Sequence, residues 1–348
     1  MIKIITVKGA PYELGFEIGK KAAKQMQAGA AFYCRHWRKF TGLSWTKSQT
    51  MIRSAWPLTK KFLPKTFEEL KGMSDGSEIP FDTLFLINSM ETLERARPSE
   101  RCTSILIHPS RSATETTLIG HNEDWITKDQ DWIYLIRGQP QGEPAFLSLT
   151  YGAWIPQYGV NETGLAFVAD SHTATDARPG ISQTLIGREI LRYRHKTKAM
   201  AMIKKTPRAD GHTFLMATPT GGLALEITAK KEAELAVTNQ RPVLVHSNFY
   251  QHQSTARFEK DSHTYSRFRF YRSHELLAGL NHPLAESDLF RALADHLNFP
   301  ESVCGHTETS GSLCEERTIA SLVIDPNRRS IALRANPPCA GKIQTTIL

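Results

Sequence analysis

The order of the predicted helices and strands is the feature that most restricts the fold of this 348-residue chain. Apolar residues recur at helical spacing over 9–42, 50–62 and 66–73 and again from about Phe81, so the first part of the chain is predicted to be almost entirely helical. From Cys102 the pattern changes to short runs rich in β-branched and aromatic residues, which predict strands.

The predicted strands come in groups that two helical blocks separate. Strands are predicted at 105–107, 116–119, 132–137, 145–151, 165–169, 213–217, 223–227, 234–237, 243–246, 318–324 and 330–334, and helices at 183–195, 198–204, 258–280 and 286–297. Helices in blocks argue against a doubly wound parallel sheet, in which they alternate singly with strands. Two antiparallel sheets stacked face to face, with helices outside, would accommodate this order in a single domain spanning 1–348.

Composition and charge are those of an ordinary globular protein. The chain is 40% hydrophobic and 22% charged, and its formal net charge is +8. A positive balance favours anionic ligands in general but does not define a site. The first residues lack the long apolar core of a signal peptide, and no apolar run approaches the roughly 18 residues that span a bilayer. We therefore expect a soluble, cytoplasmic protein with no membrane partner.

The cysteines do not form a recognisable metal or disulfide motif. They stand at positions 34, 102, 304, 314 and 339, and no CxxC pair occurs. An odd, scattered set indicates neither a zinc ribbon nor a disulfide scaffold. Cys304 and His306 could form half of a metal site, but no second half stands out in the sequence. We therefore expect no metal and no bound cofactor.

A hairpin is predicted within residues 100–125, ERCTSILIHPSRSATETTLIGHNEDW, where a polar turn joins two β-rich runs. Cys102 stands in front of the first run, and Asp124 lies beyond the second. Antiparallel pairing folds these ends back onto each other, so the two residues can be neighbours although they are 22 positions apart. Most cysteines are small buried hydrophobes, but a polar connector containing Pro98 precedes Cys102, which favours a nucleophile.

The segment around Cys102 resembles the processing site of the isopenicillin-N acyltransferase family. This family is a branch of the N-terminal-nucleophile (Ntn) hydrolases, related to the bile-salt and penicillin V hydrolases. Similarity extends to Gly9, Gly15 and Gly19 in the helical opening and to the turn GVNETGL at 159–165. The resemblance implies an α+β fold, namely a four-layer αββα sandwich of two antiparallel sheets.

The resemblance also implies that the precursor cleaves itself between Arg101 and Cys102. The products would be a helical α chain of 1–101 and a β chain of 102–348, which remain associated. An N-terminal cysteine carries a thiol of pKa about 8.5 and an α-amine of pKa about 7.7–8.0, so nucleophile and base lie on one residue. The expected activity is an amidohydrolase or acyltransferase that acts on a linear amide through a Cys102 thioester, with acyl-coenzyme A as a compatible co-substrate.

Three further positions match motifs of the family. Asp124 corresponds to the aspartate of an Asn-x-Asp motif and would orient the Cys102 amine. Asn248 matches the asparagine of a His-Thr-Asn motif and would lie at the oxyanion hole. Arg317 resembles a late arginine that would favour the thiolate. On residue chemistry alone, Asp124 could be only a turn former, Asn248 a loop residue and Arg317 a surface arginine.

The sequence also departs from the family pattern. His121 stands where bile-salt hydrolases carry an arginine. After the turn at 159–165, where related enzymes often place an oxyanion asparagine, this chain has Asp170 and Ser171. An ionised carboxylate cannot donate a hydrogen bond, so the sequence does not assign an oxyanion donor in this loop.

Two other functions compete with this interpretation. A papain-like thiol hydrolase would use Cys102 with His246 as base and Asn248, and would need no cleavage. A nucleic-acid-binding protein would use the basic stretches 192–208, with seven Lys and Arg residues, and 257–272. No nucleic-acid-binding motif accompanies them, so we expect no nucleic-acid partner. A homo-oligomer is compatible with the sequence.

Overall fold

The computed structural model describes residues 1–93, 102–260, 264–306, 313–335 and 339–348. Its α-helices are α1 (Pro11–Thr41), α2 (Trp45–Ile52), α3 (Ala55–Phe62), α4 (Pro64–Ser77), α5 (Phe81–Ile87), α6 (Gln183–Ile190), α7 (Lys196–Lys205), α8 (Gln253–Ala256), α9 (Thr264–Ala278) and α10 (Glu286–Leu293). Its strands are β1 (Lys3–Gly9), β2 (Thr103–Ile107), β3 (Leu118–Ile126), β4 (Ile133–Pro140), β5 (Phe146–Tyr151), β6 (Gly159–Asn161), β7 (Ala166–His172), β8 (Gly211–Thr218), β9 (Gly221–Ile227), β10 (Glu232–Ala236), β11 (Val243–Ser247), β12 (Glu316–Asp325), β13 (Ser330–Ala335) and β14 (Gln344–Ile347).

The strands form two sheets. The large sheet has eight strands in the order β1-β4-β5-β6-β7-β8-β9-β10, and the small sheet has six in the order β11-β2-β3-β12-β13-β14. Among the strand pairs described, β1 with β4 is parallel and the rest are antiparallel. The prediction of two antiparallel sheets is therefore confirmed, with one parallel pair added at an edge.

The sheets pack face to face with helices on their outer faces. Strands β2 and β3 contact β7 and β8 across the interface between the sheets. Helices α1, α6 and α7 pack on the large sheet, whereas α9 and α10 pack on the small one. Side chains alternate accordingly: Leu106 joins the core between the sheets, while Ile105 and Ile107 join the core under α9 and α10. This is the expected four-layer αββα sandwich.

The predicted hairpin at Cys102 is formed by β2 and β3. The strands pair antiparallel from Thr103 opposite Asn122 to Ile107 opposite Leu118. Strand β3 continues to Ile126, further than the predicted end at 119, because β12 pairs with it on the other side. A central strand with a partner on each side has its backbone groups bonded, so it can carry the polar residues 121–124 without ending.

Three strands were not predicted. Strand β1 precedes the first helix and pairs in parallel with β4, a long-range contact that no local pattern reveals. Strand β6 has three residues inside the segment predicted as a turn, and β14 is an exposed edge strand. The helix predicted at 258–280 is shorter and corresponds to α9. In the part of the chain described, no helix is long and apolar enough to cross a membrane.

Helices α1 and α4 approach each other through glycines. A Cβ atom on Gly15 would lie 1.9 Å from the carbonyl oxygen of Glu69, and one on Gly19 would lie 2.4 Å from that of Met73. From the other helix, a Cβ on Gly72 would lie 2.0 Å from the Tyr12 carbonyl oxygen. These separations are far below van der Waals contact, so two of the glycines matched in the helical opening, Gly15 and Gly19, are required by backbone-to-backbone packing.

We predict that Gly72→Ala lowers the free energy of unfolding by about 1–3 kcal/mol, the usual cost of overpacking. The added methyl group meets backbone rather than a mobile side chain, so α1 and α4 must move apart. The matched control is Gly279→Ala, whose Cβ would meet its nearest neighbour at an ordinary 3.5 Å. Denaturant unfolding of both variants measures the effect, and equal midpoints would contradict the close packing of α1 against α4.

Candidate active site

Cys102 lies directly before β2, with its side chain against the end of β3. Because Thr103 pairs with Asn122, Cys102 comes opposite Glu123, and its Sγ lies 4.0 Å from Glu123 Oε2. The residue is 6% exposed. Burial raises the pKa of the thiol well above its usual value, and the charges of Glu123, Asp170 and Asp124 raise it further. The thiol is therefore protonated in the intact chain.

Asp124 lies on β3 beside the same cysteine. Its backbone hydrogen-bonds to the Cys102 thiol, which acts against the rise in that pKa. Its carboxylate Oδ1 accepts a hydrogen bond from Thr318 Oγ1 on β12, and Thr318 Oγ1 accepts one of 2.8 Å from the backbone N–H of Gly305. The predicted proximity of Cys102 and Asp124 is thus present, while the orienting role of Asp124 stays a prediction.

Asn248 is joined to Cys102 through a residue that the sequence analysis missed. Its Oδ1 accepts a 3.0 Å hydrogen bond from Arg269 Nη2, and Arg269 Nη1 donates to the Cys102 carbonyl oxygen and, at 2.9 Å, to Thr103 Oγ1. The side-chain amide of Asn248 donates to the Ser171 carbonyl oxygen at 3.0 Å. Its role at the oxyanion hole stays a prediction.

No local signal singles out Arg269, because it is one of several arginines interleaved with aromatic residues in the basic stretch 257–272. Within that stretch, Arg269 is 2% exposed. Arg317 is placed differently from what the resemblance suggested: its Nη2 donates to Gln130 Oε1, and it does not line the cleft that contains Cys102. Its role beside the thiol stays a prediction, and Arg269 is the arginine that contacts the backbone of Cys102.

A continuous set of buried polar contacts leads away from the thiol. Glu123 Oε1 accepts a 2.6 Å hydrogen bond from the Tyr151 hydroxyl, and Glu123 Oε2 lies 3.1 Å from His121 Nε2. His121 Nδ1 lies 2.9 Å from Ser104 Oγ. His121 therefore holds the carboxylate next to Cys102.

The same set of contacts continues through Asp170 to His246. Asp170 accepts a 2.8 Å hydrogen bond from Ser104 Oγ and lies 2.9 Å from His246 Nδ1, while His246 Nε2 lies 3.2 Å from Glu226 Oε1. Burial alone would lower the pKa of His246, but its bonds to the two carboxylates raise it to about 9. Burial likewise acts to raise the pKa of Asp170, yet its hydrogen bond to His246 brings it below the usual value.

His246 is therefore a buried cation clamped between two carboxylates. A base in a papain-like site has to contact the thiol, whereas both ring nitrogens of His246 lie against carboxylates, those of Asp170 and Glu226. Asp170 serves as an acceptor in this ion pair, so its carboxylate is not the oxyanion donor of this loop. The next residue, Ser171, donates from its hydroxyl to Glu91 Oε1 at 2.7 Å.

The Cys102 side chain lines a narrow cleft. Its wall consists of Glu91, Cys102, Glu123, Asp124, Trp125, Tyr151, Trp154, Gln157, Tyr158, Ser171 and Thr184. Three of these residues are acidic, and none of the described lining residues is Lys, Arg or His. Burial raises the pKa of Glu91 to about 7. We call this space the active-site cleft.

A second space shares Glu91, Gln157, Tyr158 and Thr184 with the active-site cleft and continues it toward Phe167 and Phe214. Acidic and aromatic side chains therefore border one connected region. Side chains able to hold a metal ion form two groups in the described residues: Cys102 with His121 and Glu123, and a separate group near the C-terminus.

Comparison with known proteins finds a family model and two curated relatives that match this chain. Residues 111–338 match the family model of the acyl-coenzyme A:6-aminopenicillanic acid acyl-transferases. The chain is 23% identical over 344 residues to the 40 kDa form of acyl-coenzyme A:6-aminopenicillanic-acid-acyltransferase from Emericella nidulans, an alignment that covers 96% of this chain and 92% of the relative. It is 26% identical over 200 residues to the beta-alanyl-dopamine/carcinine hydrolase of Drosophila melanogaster, covering 51% of each.

Among solved structures, the chain is similar to penicillin V acylase from Agrobacterium tumefaciens, with a TM-score of 0.47 and 14% identity over 71% of this chain and 86% of the other. It is also similar to a mutant of conjugated bile acid hydrolase from Clostridium perfringens, with a TM-score of 0.46 and 13% identity over 71% of this chain and 97% of the other. Since the family model covers well over half of the sequence, the chain belongs to the acyl-coenzyme A:6-aminopenicillanic acid acyl-transferase family.

Proposed function

We propose that this protein is a self-processing Ntn amidohydrolase or acyltransferase that uses Cys102 as its nucleophile. The observation that carries the proposal is the position of the Cys102 thiol: at the head of β2, in the wall of the active-site cleft, 4.0 Å from a carboxylate oxygen of Glu123. Membership of an acyltransferase family supports the reaction class. Catalysis by an amine on the same residue would also explain why the nearby His246 is committed to an ion pair.

In the processing step, the Cys102 thiol would lose its proton and attack the carbonyl carbon of Arg101. The acyl group would move from nitrogen to sulfur, and water would then hydrolyse the thioester. The products are a carboxylate on Arg101 and a free α-amine on Cys102. Arg101 lies outside the described residues. Glu123 is the nearest carboxylate to the thiol proton, and Arg269 fixes the Cys102 carbonyl group on the other side of the residue.

In the mature enzyme, the α-amine of Cys102 would take the thiol proton while the sulfur attacks the substrate amide. Asp124 would accept a hydrogen bond from that amine and so hold it over the sulfur. The Cys102 ammonium group returns this proton to the substrate nitrogen, and the amine departs and leaves a thioester on Cys102. Water resolves the thioester in a hydrolase, and an amine or a thiol resolves it in an acyltransferase.

The proposed substrate is a small amide that carries a positively charged amino group. The net charge of +8 suggested anionic ligands such as acyl-coenzyme A, but the active-site cleft presents Glu91, Glu123 and Asp124. If Asp124 pairs with the Cys102 amine, two carboxylates remain for a cationic substrate. The name of the Drosophila relative specifies a beta-alanyl compound, an amide whose acyl part bears an amino group, which supports this choice.

The two chains produced by cleavage would stay together. The fragment 1–101 would include β1, which pairs with β4 over seven residues, and α1, which packs against β4 and β5. The other proposed functions have less support. His246 does not contact Cys102 as a papain-like base would, and two arginines of the basic stretch 192–208, Arg192 and Arg208, are buried.

We predict that wild-type protein yields a fragment beginning with Cys102, whereas Cys102→Ala stays a single folded chain without amidase activity. The alanine removes the sulfur that both steps require. Cys34→Ser, which changes an exposed cysteine, serves as the matched control and should process normally. Intact-protein mass spectrometry measures the outcome. Cleavage of the Cys102→Ala chain before residue 102 would refute the mechanism.

We predict that Asp124→Asn slows processing or reduces turnover, because an uncharged amide stabilises the Cys102 ammonium group less well. Thr318 and the backbone contact to the thiol remain in place, so the fold should be kept. The measurement is the rate of appearance of the 102–348 chain together with kcat of the purified product. Kinetics identical to those of the wild type would remove Asp124 from the site.

We predict that Glu91→Gln lowers kcat/KM for an amide with a charged amino group by about tenfold or more, as expected when one partner of a buried charge pair is lost. A neutral amide of the same shape is the control substrate and should be turned over as before. Because the pKa of Glu91 is about 7, its carboxylate attracts a cation above that pH and loses its charge below it. In the wild type, the ratio of kcat/KM for the charged amide to that for the neutral amide should therefore fall as the pH decreases through about 7. In Glu91→Gln this ratio should not change over the same pH range. An unchanged preference in the variant would overturn the proposed substrate class.

A further inference from the structure

Two thiol and two imidazole side chains come together in the loops that follow α10 and precede β14. His296 lies just after α10, Cys304 and His306 follow on the same loop, and Cys339 comes from the segment before β14. One ligand atom from each residue lies within 4.8 Å of all the others. From the sequence, Cys304 and His306 could form half of a metal site, but no second half stood out and no metal was expected. The fold brings His296 and Cys339 to these two residues.

The distances within this cluster are those of a tetrahedral metal site. Zinc bonds of about 2.3 Å to sulfur and 2.0–2.1 Å to nitrogen place two nitrogens about 3.3 Å apart and a nitrogen and a sulfur about 3.6 Å apart. In the structure, His306 Nε2 lies 3.1 Å from His296 Nε2, 3.6 Å from Cys304 Sγ and 3.8 Å from Cys339 Sγ. We propose that His296, Cys304, His306 and Cys339 bind one zinc ion.

The chemistry of the donors favours zinc with a structural role. Two thiolates and two imidazoles form a soft, four-coordinate set typical of Zn²⁺, and four protein ligands leave no position open for a substrate. On binding, both thiols lose their protons to solvent and the histidines bind as neutral imidazoles, so the two thiolates balance the charge of the ion. Cys304 is buried and His296 is exposed, so the cluster lies at the margin of the protein, where an ion can enter.

The zinc site would hold the loop that supports the catalytic end of β3. Gly305, between two of the ligands, donates its N–H to Thr318 Oγ1, and Thr318 donates to Asp124. On the same loop, the Val303 carbonyl oxygen accepts a 2.8 Å hydrogen bond from the side-chain amide of Asn122. Loss of the ion would therefore loosen the support of Asp124 without emptying the active-site cleft. The proposal stands independently of the proposed catalytic reaction.

Metal content tests the proposal directly. Full-length protein purified from medium with added zinc and then desalted should contain about one zinc per chain by elemental mass spectrometry. Cys304→Ser and Cys339→Ser should each lose most of it, whereas the matched control Cys34→Ser should retain it. The Cys102→Ala variant distinguishes the proposed site from the other group of potential ligands, which contains Cys102. If the Cys102→Ala protein contains no zinc while the Cys339→Ser protein keeps the ion, the metal occupies the cluster at Cys102 and the proposal is wrong.

A spectroscopic test can be carried out on the wild-type protein, so it gives a result even if the variants do not fold. Wild-type protein loaded with Co²⁺ in place of zinc should show the intense visible bands of a tetrahedral ion and the ultraviolet charge-transfer band of bound thiolate. Cys339→Ser, with native circular dichroism, should lose the thiolate band in part or whole. A folded wild-type chain that takes up no Co²⁺ or Zn²⁺, or whose Cys304 and Cys339 form a disulfide by mass spectrometry under non-reducing conditions, would overturn the proposal.

Discussion

The pairing of β2 with β3, and of β3 with β12, is the interaction on which the candidate active site depends. It places Cys102 opposite Glu123 and sets Thr318 against Asp124, so side chains far apart in the sequence meet at one end of the small sheet. The register is well specified because one face of these strands packs against the large sheet and the other against α9 and α10. A shift by one residue would exchange the two faces and bury the wrong side chains.

Many charges are buried around this sheet end, and each carboxylate needs a partner there. His246 is shared between the carboxylates of Asp170 and Glu226, and Arg269 binds backbone and hydroxyl oxygens beside Cys102. Ion pairs of this kind offset a large desolvation cost, so removing one member leaves the other exposed to a low-dielectric surrounding. The same low dielectric raises the pKa of the Cys102 thiol in the intact chain and makes the carboxylates of the active-site cleft effective toward a cation.

Much of the fold followed from local pattern. The helices α1, α4 and α5, the hairpin at Cys102 and the block order of the remaining elements are visible as periodicity, and the stacked antiparallel sheets follow from that order. The stretch predicted as helix over 50–62 is instead two helices, α2 and α3, which divide before Ala55. The strands that local pattern missed depend on distant partners: β1 on β4, and β14 on β13. Glycine spacing in the helical opening was noticed through a resemblance, but its reason, contact with the backbone of α4, belongs to tertiary packing.

The sequence by itself determined that Asp124 comes to Cys102, because the two residues lie at the paired ends of one hairpin, and it indicated Cys102 as the proposed nucleophile. Only the tertiary structure decided the surroundings of that thiol. The acidic character of the cleft, the burial of Arg269 and the convergence of His296 and Cys339 on Cys304 and His306 all join segments from different layers. Net charge is a sum over the whole chain, and residue spacing describes only one segment at a time. The chemistry of a site depends on the few side chains, from several segments, that lie within a few ångströms of one another.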